Sequence, residues 1–80
     1  MTTGAQLRAG RALVGLSQPD LAGRCGVSTM TVKRAEGAGM PFPSAETVAK
    51  IRAALEAAGV EFIPENGGGA GVRLKKGVVQ

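Results

Sequence analysis

Apolar residues recur along this chain with two different periods, one typical of helices and one typical of strands. In the larger, N-terminal part they repeat every three or four positions, as in Val48, Ile51 and Leu55, which would share one stripe of a helix. This pattern predicts four helices, over residues 4–14, 18–24, 29–36 and 45–58. After them, residues 60–63 and 72–75 alternate between apolar and polar, as half-buried strands do.

The sequence therefore predicts a mainly α-helical fold of four helices followed by a C-terminal two-stranded antiparallel β-hairpin. We expect residues 1–59 to form the helical domain and residues 60–80 to form the hairpin and tail. The connection between the strands, residues 64–71, is rich in glycine and too long for a tight two-residue turn. Glu61 and Arg73 are expected to face each other across the hairpin.

The segment from Ser17 to Gly37 is the most informative part of the chain, because it predicts two short helices joined by a tight turn. Ser17 and Ser28 stand where helix N-caps belong, so their hydroxyls would accept hydrogen bonds from free amides of the first turn. Ala22 is small enough to let the helices approach, and Gly26 permits the positive φ of a sharp reversal. This is the geometry of a helix-turn-helix, which places its second helix in the major groove of DNA.

Residues in and around this segment match the pattern of one known family. They are Leu7, Arg11, Gly15–Gln18, Leu21, Ala22, Gly26–Ser28, Glu36, Pro43 and Ser44. With these residues the chain resembles the phage-repressor and Cro-like helix-turn-helix regulators of the xenobiotic-response-element type, over about residues 3–59. The resemblance implies a four-helix, lambda-repressor-like domain that binds double-stranded DNA and regulates transcription.

The outward face of the third helix is the predicted site of contacts to DNA bases. Its residues are Thr29, Met30, Lys33 and Arg34. Arg34 is the strongest candidate for sequence discrimination, because its planar fork can bond guanine O6 and N7 together. Thr29 can bond a base edge or a phosphate, Met30 can lie against a thymine methyl group, and Lys33 can also reach a phosphate. The alternative is that these four residues form an ordinary solvated helix surface.

The resemblance also implies phosphate contacts from Gln18 and Ser28, and Thr31 is a further expected phosphate contact on the flank of the third helix. Gln18 begins the second helix, where free amides and the helix dipole favour an anion. Alternatively, Gln18 and Ser28 do no more than cap their helices.

A structural ion pair between Arg11 and Glu36 is a further implication, because the family places an arginine of the first helix against a glutamate that ends the third. Such a pair would fix the third helix relative to the first. The alternative is two independent surface charges, which contribute little to stability.

The charge of the chain is compatible with nucleic-acid binding and is unevenly distributed. The net charge is +4, and the isoelectric point is about 10.0. Residues 1–43 carry five basic and two acidic side chains, a net of +3, whereas residues 44–66 carry two basic and four acidic ones, a net of −2. The remaining residues contribute +3. Positive charge thus accompanies the predicted DNA-binding segment and the C-terminal tail.

Composition argues against several classes of protein. The chain has no histidine and one cysteine, so it offers no nucleophile–base pair and no metal-ligand cluster, and we expect no enzyme, cofactor or metal site. No apolar run is long enough for a membrane span, and no signal-peptide pattern is present, so we expect a cytoplasmic, nucleoid-associated protein.

Cys25 is expected to pack in the core rather than to sense redox state, and Phe42 is expected to pin its loop to the core.

The C-terminal hairpin is the expected dimer or partner surface, through the apolar residues of its strands. These are Val60, Phe62, Val72 and Leu74. A two-stranded ribbon is marginally stable alone, and its free edges invite a second copy. We therefore expect a homodimeric regulator, most simply a repressor, on a near-palindromic operator. Two alternatives stay open: an antitoxin-like autorepressor whose tail binds a toxin, and an adaptor that binds only protein.

Overall fold

Four helices and one two-stranded antiparallel sheet form the computed structural model, which describes residues 2–77. The elements are α1 (Gly4–Leu13), α2 (Gln18–Cys25), α3 (Thr29–Ala35), α4 (Ala45–Ala57), β1 (Val60–Ile63) and β2 (Gly71–Leu74). The predicted fold class is confirmed, and each element boundary lies within one residue of its predicted position. The last three residues of the predicted tail, 78–80, lie outside the described residues.

Each helix begins at a hydroxyl side chain that accepts a hydrogen bond from an amide of the first turn. The caps are Thr3, Ser17, Ser28 and Ser44, with oxygen–nitrogen distances of 3.1–3.2 Å. Thr3 and Ser17 form capping boxes, because the side chains of Gln6 and Asp20 bond back to the cap amides. Each such cap stabilises its helix by about 1 kcal/mol. Because these caps are local, the first residue of each helix can be predicted from the sequence.

The core is aliphatic and lies between the helices and β1. Its buried hydrophobic residues are Leu7, Leu21, Ala22, Val32, Ala35, Ile51, Leu55, Val60 and Phe62. Two glycines of α1 let neighbouring elements approach this small core. A Cβ at Gly10 would lie 3.2 Å from Cγ1 of Val60, and a Cβ at Gly4 would lie 2.7 Å from the carbonyl oxygen of Ala35. The N-terminus of α1 therefore packs directly on the backbone at the end of α3.

A buried glutamine side chain, that of Gln6, holds the hairpin against α1. Its Nε2 donates to the carbonyl oxygens of Ile63 at 3.3 Å and Gly71 at 3.0 Å, which face each other at the last pair of the ladder. Its Oε1 accepts from the amide of Thr3 at 2.9 Å. The side chain is therefore fully used, and it anchors the loop end of the hairpin, where β1 and β2 separate.

The apolar face of the hairpin packs on the helices of its own chain. Val60 pairs with Leu74, and Phe62 pairs with Val72, so these four side chains share one face, which covers α1 and α4. Val60 is completely buried, and Phe62 is 8% exposed beneath the guanidinium of Arg52. The prediction that Val60 and Phe62 form a dimer or partner surface is therefore wrong, because their side chains complete the core. Val72 and Leu74 are half-buried on the same face.

The outer face of the hairpin carries the predicted cross-strand pair. Glu61 lies opposite Arg73, whose Nη2 donates to Glu61 Oε2 at 2.7 Å. Both side chains are well exposed, so solvent screens the pair.

Phe42 does not pin its loop to the core, contrary to the sequence-based expectation. It is 51% exposed, and the neighbouring Met40 is 81% exposed. The core is already filled by residues of the helices and β1, so the loop between α3 and α4 leaves two large apolar side chains at the surface.

We predict that Gly4→Ala destabilises the protein by about 1–3 kcal/mol, because the added methyl group would overlap the carbonyl oxygen of Ala35. Gly23→Ala is the matched control, since a Cβ there meets nothing within 4 Å, and it should stabilise α2 by up to about 1 kcal/mol. Urea unfolding of both variants measures the difference. Similar stabilisation by both substitutions would contradict the close approach of α1 and α3.

We also predict that Gln6→Ala destabilises the protein more than Asp20→Ala. Both substitutions remove a capping-box bond, but only the first leaves the carbonyls of Ile63 and Gly71 without their side-chain donor. The additional loss should be about 1–3 kcal/mol in urea unfolding. Equal losses in the two variants would show that Gln6 does not anchor the hairpin.

Candidate nucleic-acid interface

The turn between α2 and α3 is built from a left-handed glycine and a capping serine. Gly26 has φ +71° and ψ +31°, a conformation that costs a glycine little. The amide of Val27 bonds to the carbonyl of Ala22 at 3.1 Å, which closes the end of α2. Leu21 and Val32 are completely buried between the two helices and the rest of the core. The helix pair is therefore fixed by both its turn and its packing.

Helix α3 has one side in the core and one side towards solvent. Val32 and Ala35 are completely buried. The four predicted base-contacting residues lie elsewhere on the helix: Met30 and Lys33 are exposed, whereas Thr29 and Arg34 are half-buried. With seven residues, α3 is about 10 Å long. An α-helix with its side chains is about 10–12 Å across, which fits the ~12 Å width of the DNA major groove.

A buried carboxylate at the end of α3 ties this helix to α1 and α2. The side chain of Glu36 is 3% exposed and accepts from Arg11 Nε at 2.7 Å, Arg11 Nη2 at 3.0 Å and Gln18 Nε2 at 3.1 Å. Arg11 Nη1 also donates to the carbonyl of Leu16 at 3.0 Å. The bond to Glu36 raises the pKa of Arg11 despite its partial burial, so the arginine stays charged. Three donors thus compensate the buried charge and hold α3 in one orientation.

The cations of α3 have no acidic partner among the described residues. The carboxylate of Glu36 is paired with Arg11. The carboxylate of Asp20 accepts a hydrogen bond from the amide of Ser17, and hydrogen bonding with Ser17 lowers the pKa of Asp20. Within residues 2–77, neither Lys33 nor Arg34 forms a salt bridge. The solvent side of α3 therefore carries two positive charges beside an exposed methionine. Such a surface suits a polyanion whose base edges also offer apolar methyl groups.

The three predicted phosphate-contacting residues have partners inside the protein. Gln18 gives one amide hydrogen to Glu36 and keeps a second one. Ser28 Oγ accepts from the amide of Thr31 at 3.1 Å and lies 2.8 Å from Thr31 Oγ1. Because one of these hydroxyls must donate to the other, a single hydroxyl hydrogen remains for an outside acceptor. A phosphate contact is therefore compatible with capping at Ser28 and with the bond to Glu36 at Gln18, whereas the cap of α2 is Ser17.

Cys25 is a half-buried residue at the end of α2. Its thiol packs against the core, 4.0 Å from the carbonyl oxygen of Lys50. Burial raises the pKa of the Cys25 thiol, and the nearby Lys50 only partly offsets this effect. Burial therefore disfavours the thiolate, in keeping with a packing role for this side chain.

Two of the contacts that position the site are not among those predicted from the sequence. The bond from Gln18 to Glu36 joins residues far apart in the chain, and nothing local signals it. The need for glycine at position 4 is also tertiary, because the clash arises with Ala35. The only sequence signal for the second contact is a glycine in the first turn of a helix, where it is otherwise unfavourable.

Other kinds of site find no support in the described part of the chain. Residues 2–77 contain no group of three or more histidine, cysteine or acidic side chains that could hold a metal ion. No helix in the same range has the length and apolarity needed to cross a bilayer.

Comparison with known protein families gives one match. A family model described as a helix-turn-helix domain matches residues 3–62, which is more than half of the chain. The matched region contains all four helices and most of β1. A comparison with curated proteins finds no significant match.

We predict that Glu36→Gln destabilises the protein by about 3 kcal/mol, because it leaves the partly buried Arg11 without a counter-charge. The same substitution in the exposed pair, Glu61→Gln, is the control and should cost about 0–1 kcal/mol. Chemical unfolding of the two variants gives both values. If the losses are equal, the buried pair does not hold α3 in place.

Proposed function

The chain belongs to the helix-turn-helix domain family, and we propose that it is a sequence-specific DNA-binding transcription regulator of the phage-repressor and Cro-like type. The observation that carries this proposal is the solvent side of α3. It combines the uncompensated charges of Lys33 and Arg34 with exposed Met30, on a short helix held from behind by the Glu36 network. A rigid helix of this size presents its side chains to base edges at little cost in conformational entropy.

In this proposal α3 enters the major groove, and each of its outward side chains makes a different contact with the DNA. Arg34 bonds guanine O6 and N7, so each half-site contains a G·C pair opposite it. Met30 lies against a thymine methyl group, while Thr29 and Lys33 bond base edges or the adjoining backbone. Arg34 is half-buried, which limits its rotamers and favours one geometry of contact.

Phosphate contacts fix the position of α3 in the groove. Gln18, with its free amide hydrogen, and the positive end of the α2 dipole bind one phosphate. The free hydroxyl hydrogen of the Ser28 and Thr31 pair binds another. Because Gln18 also bonds Glu36, the phosphate contact and the orientation of α3 are mechanically linked.

The proposed regulator acts in the cytoplasm as a homodimer on a near-palindromic operator and represses by blocking the polymerase. The support for a dimer is the small size of α3, since four side chains can distinguish only a few base pairs. Two copies would double the recognised sequence, with their α3 helices about 34 Å apart in successive major grooves. Repression requires no surface beyond the one that binds DNA.

We predict that Arg34→Ala removes one base preference from each half-site. In-vitro selection from a randomised duplex pool, run with the unaltered protein and the variant, compares the enriched sequences. Discrimination at one G·C pair should fall by about 1–3 kcal/mol, while a weak, salt-sensitive affinity for all duplexes persists. Arg8→Ala is the charge-matched control, because Arg8 is exposed on α1. A uniform loss over every sequence would mean that Arg34 contacts phosphate instead.

A further inference from the structure

The two most exposed large hydrophobic side chains of residues 2–77 lie together beside α4. Met40 is 81% exposed and Phe42 is 51% exposed, both in the loop that follows α3. Phe42, Pro43 and Val48 line an open, largely apolar groove of about 570 Å³ between this loop, the N-terminal segment and α4. A contiguous patch of exposed apolar side chains more often marks an interaction site than an ordinary solvated surface.

The charged residue in the groove lining has its partners within the chain. Arg52 donates through Nε to Glu56 at 3.3 Å and through Nη1 to the hydroxyl of Thr2 at 2.7 Å, and its guanidinium lies 4.9 Å from the Phe62 ring centroid. The groove therefore presents little polar functionality to orient a small ligand, and it suits apolar side chains of a macromolecule.

We infer that a second copy of this chain occupies the groove, with α4 packed antiparallel against the partner's α4 around a two-fold axis near Ala49. This inference rests on the proposed function, which requires a dimer. It replaces the predicted dimer surface on the hairpin, because Val60 and Phe62 are buried in the core of their own chain. A two-fold interface requires a self-complementary surface, and here the exposed side chain of Met40 lies two residues before Phe42, which lines the apolar groove. Exposed Ala45, Ala49 and Ala53 lie at four-residue spacing along α4, so the two helices can approach closely.

Charge complementarity supports the antiparallel arrangement. Pairing about Ala49 places Glu46 opposite the partner's Arg52, which is an attractive contact repeated twice by symmetry. Glu46 is exposed and forms no salt bridge within residues 2–77. The Arg52 side chain is 40% exposed, and its Nη2 has no hydrogen bond in that same range.

The dimensions of the protomer agree with this arrangement. The described chain measures 32 × 29 × 18 Å along its principal axes. In a two-fold dimer, equivalent residues are separated by twice their distance from the axis, so α3 must lie about 17 Å from the axis to give the ~34 Å between successive major grooves. A chain of these dimensions can span that distance. The loop that bears Met40 follows directly from α3, so the proposed interface lies next to the DNA-binding helix in the chain.

Substitution of Ala49 by arginine tests the proposed axis, because like charges would then meet there. Ala49 is exposed, so Ala49→Arg should fold normally, and Ala12→Arg on α1 is the control of equal charge and similar exposure. Phe42→Ser removes an apolar wall of the groove without added charge. In sedimentation velocity at high micromolar concentration, the unaltered protein and Ala12→Arg should sediment as twice the 8.0 kDa chain, and Ala49→Arg and Phe42→Ser as single chains. A monomeric unaltered protein, or a dimeric Ala49→Arg variant, would overturn the inference.

Binding to selected duplexes with one or two half-sites separates this inference from the proposed function. Affinity for a single half-site should be equal in Ala49→Arg and Ala12→Arg. A second half-site should raise the affinity of Ala12→Arg by about 10²-fold or more, because the two linked copies of a dimer bind both half-sites at once. It should not raise the affinity of Ala49→Arg, which is monomeric. An equal gain in both variants would reject this interface and leave the DNA-binding function intact. No binding of any variant to either duplex would reject the proposed function itself.

Discussion

The buried carboxylate of Glu36 is the constraint on which the arrangement of the helices depends. A charge taken out of water must be compensated, and here two nitrogens of Arg11 and one of Gln18 do so at 2.7–3.1 Å. Since these residues lie on α1 and α2, satisfying the carboxylate brings three helices together and fixes the direction of α3. The same contacts draw the acidic charge inward, which leaves the cations of α3 facing solvent without a counter-charge.

Close packing around α1 completes this frame in a chain with a small aliphatic core. Gly4 lets α1 lie directly on the backbone at Ala35, beside Glu36, and Gly10 lets β1 approach the opposite part of the helix. Gln6, between them, uses all of its polar groups to cap α1 and to hold the hairpin. One helix therefore organises both the DNA-binding motif and the C-terminal sheet, and the hairpin serves as the last layer of the core.

Local features of the sequence predicted most of this fold, whereas contacts between distant residues decided the remainder. Hydroxyl caps and the left-handed Gly26 act within a few residues, so the helix starts and the turn could be placed correctly. The alternating apolar residues Val60 and Phe62 identified a strand, but they did not show which surface its apolar face packs against. In the structure this face packs against α1 and α4. The prediction that Phe42 packs in the core was wrong, because the hydrophobicity of a side chain does not reveal whether other residues already fill the core. The outward position of Lys33 follows from helical periodicity, and the family resemblance implied the pair of Arg11 and Glu36. The additional hydrogen bond from Gln18 to Glu36 required the tertiary structure.

The central claim, that this frame exists to present α3 to a specific DNA sequence, is tested most directly by fluorescence anisotropy. Labelled duplex from upstream of the protein's own gene is compared with a scrambled duplex of the same composition, at two salt concentrations. The account predicts tight binding to the upstream duplex, weaker binding to the scrambled one, and an affinity for both that falls steeply with salt as counterions are released. Absence of binding to either duplex at low salt would contradict the account and leave the exposed face of α3 without its proposed partner.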